Sequence, residues 1–221
     1  MAGEWLSVAL WAMSLAEVRT PTLAERLTAV REAYRRGGTM SAAFTQTYHD
    51  AMRPAGKTRR EAGELWVDAG GRVRWSYRDP ERKEFVFDGV DGYFYEPEQQ
   101  QVTIFGGFSD SPLGSSIQVL WGRGDVTRLF QVQACEALPK TAFVPPNELC
   151  VQLLPHRKVT QVARVILGLD VAAQRINRSL LVDQLNNTTE FVFQGVEFGG
   201  KLPADRFLFV KPEGVEVFDT R

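Results

Sequence analysis

Apolar residues recur at helical spacing between Leu23 and Tyr34, through Leu27 and Val30, and from Ser41 onward the period drops from 3.6 to 2. The first pattern predicts one helix. Thr22 and Glu25 form a capping box at its start, and Gly37 with Gly38 stops it. The second pattern runs through "AAFTQTYHD", "REAGELWVD", "RVRWSYRD", "KEFVFDG", "GYFYEP" and "QVTIF", which read as successive β-strands. Their connectors, "AGG", "RDPER", "DGVDG" and "EPEQQ", are short and rich in turn residues, so neighbouring strands should run antiparallel. Residues 106–124 break the rhythm. Ser111 can cap a short helix opened by Pro112, with Leu113, Ile117, Leu120 and Trp121 on one face and Gly122 and Gly124 ending it. Strand signals resume at "VTRLFQVQAC", "ELCVQLLP", "VARVILGLD", "AQRINRSLLVD" and "NTTEFVFQGVEF", before a tail, "LPADRFLFVKPEGVEVFD". The expected fold is mainly β with α: a single long antiparallel sheet of about ten strands, with an N-terminal and an internal helix. A sheet of that size twists and curls, and a curled sheet has a concave side.

Alternation also sorts side chains by face. Val73, Trp75 and Tyr77 lie on one side of their strand, and Arg72, Arg74, Ser76 and Arg78 on the other. Phe85 with Phe87, and Tyr93 with Tyr95, can continue that surface. Two readings of that surface stay open. It is either the packed core of a sandwich or half-barrel, or the wall of a pocket that two helices only partly plug, and concave apolar pockets are the usual form of small-ligand sites.

Composition narrows the function classes. With 221 residues, 44% of them hydrophobic and 24% charged, the chain fits one domain with a single core, assigned to residues 22–221. Lys and Arg number 26 against 27 Asp and Glu, so no overall positive field exists to gather nucleic acid. "WLSVALWAMSLA", residues 5–16, is too short to span a bilayer and reads either as a cleaved signal segment or as an N-terminal apolar helix; its flank carries Glu4 and no Lys or Arg. Cys135 and Cys150 flank a proline-bearing loop between two strand-like runs. They are either a disulfide, which would close a loop of about 15 residues and contribute roughly 3 kcal/mol, or two buried thiols. Chemistry is sparse. His49 and His156 are the only histidines, which excludes a His-rich metal site, and no G-x-S-x-G elbow accompanies them. The glycine pairs lack the context of a phosphate cradle, and the carboxylate pairs, such as Asp88 with Asp91, sit in turns. No enzymatic activity, metal or cofactor is expected.

The order of these elements resembles the periplasmic outer-membrane lipoprotein carrier family, LolA, over about residues 22–220. The matching stretches are "FTQ", "GELWV", "RWSYRDP", "FDG", "YFYEPEQQQV", "SPLGSSIQVLWG" and the closing "FLFVKPEGVEVFD". The resemblance implies an incomplete, eleven-stranded half-barrel whose helices form a lid over a hydrophobic cavity. It implies a periplasmic monomer that carries acylated lipoproteins from an inner-membrane ABC-type releasing complex to an outer-membrane acceptor or receptor, without binding nucleic acid. The cavity wall would then comprise Leu65, Val67, Val73, Trp75, Tyr77, Phe85, Phe87, Tyr93, Tyr95 and Ile104, and the lid Leu113, Ile117, Leu120 and Trp121. No cysteine follows residues 5–16, which favours the soluble carrier over the lipid-anchored receptor of the same fold. The chain departs from the family where an Arg-Pro pair usually precedes the "RW" strand and its Arg holds the lid. Ala69 and Gly70 stand there instead, with Arg72 and Arg74 the nearest candidates to compensate. Rival readings are a lipid- or glycolipid-sensing module similar to RseB-type regulators, a lipid hydrolase built on His49 or His156, and a β-protein with a filled core.

Overall fold

The computed structural model describes residues 19–53, 58–106, 126–136, 138–139, 144–157 and 162–221. The apolar segment at 5–16 and the expected helix at 112–121 lie outside the described residues. Helix α1, Leu23–Gly37, is bounded as its sequence predicts. The Glu25 amide donates to Thr22 Oγ1 at 3.2 Å while the Thr22 amide donates to Glu25 Oε2 at 2.7 Å, and Gly38 ends the helix with a φ of 73°. Its buried stripe is Leu27, Val30 and Tyr34.

The strands are β1 (Thr39–His49), β2 (Arg59–Asp68), β3 (Val73–Asp79), β4 (Lys83–Phe87), β5 (Gly92–Glu96) and β6 (Gln101–Phe105). After the one-turn helix α2 (Val126–Leu129) follow β7 (Phe130–Ala134), β8 (Leu149–Pro155), β9 (Arg164–Asp170), β10 (Arg175–Val182), β11 (Thr188–Phe198) and β12 (Glu216–Asp219). They form one sheet in the order β12-β6-β5-β4-β3-β2-β1-β11-β10-β9-β8-β7. It is two antiparallel meanders, β1–β6 and β7–β11, joined by the long pairing of β1 with β11. Strands β7 and β12 are its two edges and do not pair, so the half-barrel is incomplete.

The expectation of a wholly antiparallel sheet of about ten strands, or of the family's eleven, is corrected at one edge. Strand β12 adds a twelfth, and it lies parallel to β6, from Glu216 beside Gln101 to Asp219 beside Ile104. The cause is the path of the tail. After β11, in the middle of the sheet, the chain crosses the outer face of the first meander and so arrives at β6 heading the same way; parallel neighbours require such a crossover.

The main apolar cluster occupies the face that carries α1. It joins Leu27, Val30 and Tyr34 to Phe44, Leu65, Val73, Trp75 and Phe87 of the first meander and to Val151, Leu153, Leu167 and Leu169 of the second. Tyr34 fixes the helix to the sheet: its hydroxyl accepts the Ile176 amide at 3.1 Å and its ring meets Phe198 edge-on at 4.8 Å. A smaller cluster on the outer face, Ile166, Leu180 and Val182, is covered by Leu138 and Val144 beside a Cys135–Cys150 disulfide. Of the two readings of that cysteine pair, the disulfide is the one the fold adopts.

Candidate functional site

Strand register decides which side chains meet. Val67, Val73 and Phe87 stand opposite one another on β2, β3 and β4, and the next row holds Leu65, Trp75 and Phe85, continuing to Phe94. Directly opposed residues share a face, so these two rows build the inner surface, with Tyr77 at its end. Thus Leu65, Val67, Val73, Trp75, Tyr77, Phe85 and Phe87 of the expected wall lie together. Leu65, Val67, Val73, Trp75 and Phe87 are buried, whereas Tyr77 and Phe85 are half-buried.

Tyr93, Tyr95 and Ile104 do not join them. The tight β4–β5 turn pairs Phe87 with Gly92, which sets Tyr93 opposite Val86 and Tyr95 opposite Glu84, on the outer face, and Ile104 pairs with Tyr93. A strand's faces alternate with period 2, so this one-residue choice of register moves the whole set to the other side. On that side the tail covers them: the Phe209 ring stacks on Tyr93 at 5.0 Å and tilts against Tyr95 at 5.9 Å. Partial desolvation and contact with the Asp88 carboxylate push the Tyr93 phenol above its usual range.

Aromatics outside the expected set take the vacated part of the inner face. Gly92 has no side chain, and a Cβ there would come within 2.3 Å of the Phe105 ring, so the glycine admits Phe105, which stacks on Phe85 at 5.7 Å. Phe44, opposite Phe193, meets Trp75 edge-on at 5.3 Å and Tyr77 at 5.0 Å, while Phe191 tilts onto Trp75 at 5.0 Å. Phe191 stacks on Phe193 at 6.3 Å. The same alternation that marked Trp75 was present in "EFVFQ", but only the β1–β11 pairing tells which parity faces inward. Phe85, Phe105, Phe191 and Phe193 are all half-buried, so the floor presents an aromatic surface that its own neighbours do not fully cover. The expected lid residues Leu113, Ile117, Leu120 and Trp121 lie outside the described residues.

One end of this surface is polar. The Tyr77 hydroxyl donates to Gln46 Oε1 at 2.7 Å, Gln46 Nε2 donates to Glu61 Oε2 at 3.0 Å, and Lys83 pairs with Glu61 Oε1 while lying 4.5 Å above the Tyr77 ring. Burial, reinforced by the Glu61 charge, drives the Tyr77 phenol well above its ordinary pKa, so it remains a neutral donor.

Neither arginine expected to stand in for the family's lid arginine faces this surface. Arg72 pairs with Asp68 at 2.7 Å and lies 5.0 Å over the Phe207 ring; Arg74 donates to the carbonyls of Arg206 and Leu208 at 3.2 and 3.4 Å and pairs with Glu84. Both sit on the outer face and hold the tail, because even-numbered positions of β3 point away from Trp75. Among the described residues their contacts are structural, and the expected lid lies outside those residues. Two open clefts lie elsewhere, about 480 Å³ beside the N-terminus of α1 and about 800 Å³ between Arg74, Arg78, Tyr95 and Phe209. His49 Nδ1 lies 3.3 Å from Thr58 Oγ1, and His156 Nε2 lies 3.0 Å from the Thr127 carbonyl; neither approaches the inner aromatics in any described contact. Among the described residues no group of His, Cys, Asp and Glu is arranged to hold a metal, and no helix is long and apolar enough to cross a membrane.

The family model of the outer membrane lipoprotein carrier protein LolA matches residues 36–210. An outer-membrane lipoprotein carrier protein of Nitrosospira multiformis is 31% identical over 181 residues, covering 81% of each chain. A second, from Nitrosomonas europaea, is 25% identical over 206 residues, covering 93% of this chain and 94% of its own. Among solved structures, a conserved protein of Thermus thermophilus superimposes with a TM-score of 0.55 at 11% identity, covering 88% of this chain and 97% of its own, a likeness of fold alone. With most of its length matched, and with the half-barrel and its aromatic floor in place, the chain belongs to the LolA family of outer-membrane lipoprotein carrier proteins.

Proposed function

We propose that this protein binds the acyl chains of lipoproteins on its inner aromatic face and carries them through the periplasm from the inner to the outer membrane. The observation that supports it most directly is the half-buried row of Phe85, Phe105, Phe191 and Phe193 on a face otherwise packed as core, in a chain whose curated relatives are named as carriers. The wall residues are Leu65, Val67, Val73, Trp75, Tyr77, Phe85 and Phe87, joined by Phe44, Phe105, Phe191 and Phe193.

The thermodynamics set the mode of transfer. Burial is worth about 0.8 kcal/mol per methylene. A lipoprotein with roughly 40 methylenes in its chains would thus gain ~30 kcal/mol if all were buried, beyond the ceiling of about 18–21 kcal/mol for non-covalent complexes. Release into water is therefore excluded on any useful timescale, and the carrier must hold its guest less favourably than the next acceptor does. Loading occurs from a releasing complex in the inner membrane and unloading by direct handover to an outer-membrane acceptor, with no bond made or broken. Native mass spectrometry of the protein purified from its own host tests the reading. Acylated cargo retained in the complex is the expected result. A ligand-free mass, together with failure to bind the apolar dye 1-N-phenylnaphthylamine, would refute it.

A further inference from the structure

Glu61, Lys83, Gln46 and Tyr77 come from four adjacent strands, β2, β4, β1 and β3, and register brings them to one end of the inner face. The side chains of Glu61 and Lys83 are only 5% and 12% exposed. Such a pair is a poor device for stability, because the desolvation of both charges offsets their attraction and apolar side chains of similar volume serve a core as well or better. Its position is informative: the row that starts at Phe44 and Gly63 ends in Tyr77 and Lys83, while the next row inward, Leu65 with Trp75 and Phe85, is apolar.

The hydrogen-bond inventory shows what the cluster can offer. Glu61 accepts from Lys83 on one oxygen and from Gln46 on the other, with Arg59 at 3.4 Å from each, and the Gln46 carbonyl accepts from Tyr77. Both acceptors are engaged within the cluster. The capacity that remains is donor capacity: Lys83 carries three N–H groups and Gln46 two, and one from each is directed at Glu61. Gln46 and Tyr77 are half-buried and the Lys83 side chain keeps 12% exposure, so none of the three is fully enclosed.

We propose that this cluster is the station for the polar junction of the guest, where Lys83 and Gln46 donate to the ester or amide carbonyl oxygens that join acyl chains to their backbone. Glu61 is the positioning residue that holds both donors, and Tyr77 orients Gln46 through its carbonyl. The inference rests on the acyl-binding reading above and adds an orientation: chains over Phe44, Trp75 and Phe85, carbonyls at Lys83.

The test compares two neutral probes of equal chain length, dipalmitoylglycerol and its dihexadecyl ether analogue, which lacks the carbonyls, each displacing 1-N-phenylnaphthylamine. The wild-type protein should bind the ester about tenfold more tightly, the discrimination expected of one hydrogen bond to a charged donor. In the double variant Lys83→Met/Glu61→Gln, which leaves no buried charge unpaired because Arg59 is largely exposed, the preference should fall below about twofold while both lipids still displace the dye. Gln46→Leu, which keeps the ion pair, should lose part of the preference and serves if the double variant does not fold. Equal binding of ester and ether by the wild type, or a preference that survives these variants, overturns the assignment. So does dipalmitoyl phosphatidate binding tenfold or more above the neutral ester, which would make the cluster an anion site. A wild-type protein that binds neither the dye nor either lipid removes the acyl-binding reading itself.

Discussion

Tyr34 combines a structural hydrogen bond with a titration that can be read out. Burial raises its phenol to about 12, against an ordinary value near 10, because the phenolate would have to sit without solvent between α1 and β10. A group whose pKa is higher folded than unfolded stabilises the fold fully below the unfolded value, and that contribution is lost as pH rises through the folded one. Urea stability should thus be flat in this respect up to about pH 10 and fall between about pH 10 and 12; Tyr77 shifts in the same direction and steepens the loss. Tyr34→Phe should cost about 1 kcal/mol at neutral pH, since the Ile176 amide loses its acceptor, yet blunt the alkaline decline, as urea midpoints at pH 7 and 11 would report. Gly63 is a second single-residue constraint. A Cβ there would stand 2.0 Å from the Ser76 carbonyl oxygen, in backbone that cannot swing aside, at the bulge where β2 changes register against β3. Gly63→Ala is expected to lower stability by about 2–3 kcal/mol, measured by urea denaturation.

Among elements, the tail and the disulfide loop perform related tasks on opposite halves of the outer face. Arg206 over Trp66 at 4.5 Å, Arg72 over Phe207, Arg74 on two tail carbonyls and Phe209 on Tyr93 tie residues 206–209 across β2 to β5 before β12 reaches the edge. Arg74→Ala removes the bonds to both carbonyls and should lower stability by about 1–2 kcal/mol while leaving 1-N-phenylnaphthylamine binding unchanged, because its contacts among the described residues lie on the outer face. A fall in dye binding at unchanged stability would instead restore this arginine to cavity control. The Cys135–Cys150 bridge closes a separation of 15 residues and pins the cover of Ile166, Leu180 and Val182. Its reduction should cost about 3 kcal/mol, which for a domain of this size corresponds to a fall in Tm of about 6–12 °C in a melt with and without dithiothreitol.

For the molecule as a whole, the inner face acts collectively. Phe85→Glu places a charge on the half-buried floor beside Phe105, and is expected to weaken dye and acyl binding at least about tenfold with the far-UV circular dichroism unchanged. How such a surface arises was partly legible beforehand. The capping box at Thr22, the glycine stop at 37–38, the short hairpins of β2 to β6 and the inward parity of Val73, Trp75 and Tyr77 are local matters, decided by side-chain spacing and turn chemistry within a few residues. The faces of Tyr93, Tyr95 and Ile104 were not, since alternation reports that a strand has two sides and not which of them is inward. That choice falls to register, set by the Phe87–Gly92 pair and by the Phe209 cover that arrives from over a hundred residues away. The same holds for the β1–β11 pairing that seats Phe191 and Phe193 beside Phe44 and Trp75, for the parallel β12 edge, and for the gathering of Gln46, Glu61, Tyr77 and Lys83. By itself the sequence determined the capped helix, most of the strands and the presence of an apolar face, because periodicity is a local property. Only the tertiary structure decided which residues share that surface, because contacts between distant segments gain their energy when the whole sheet closes into register.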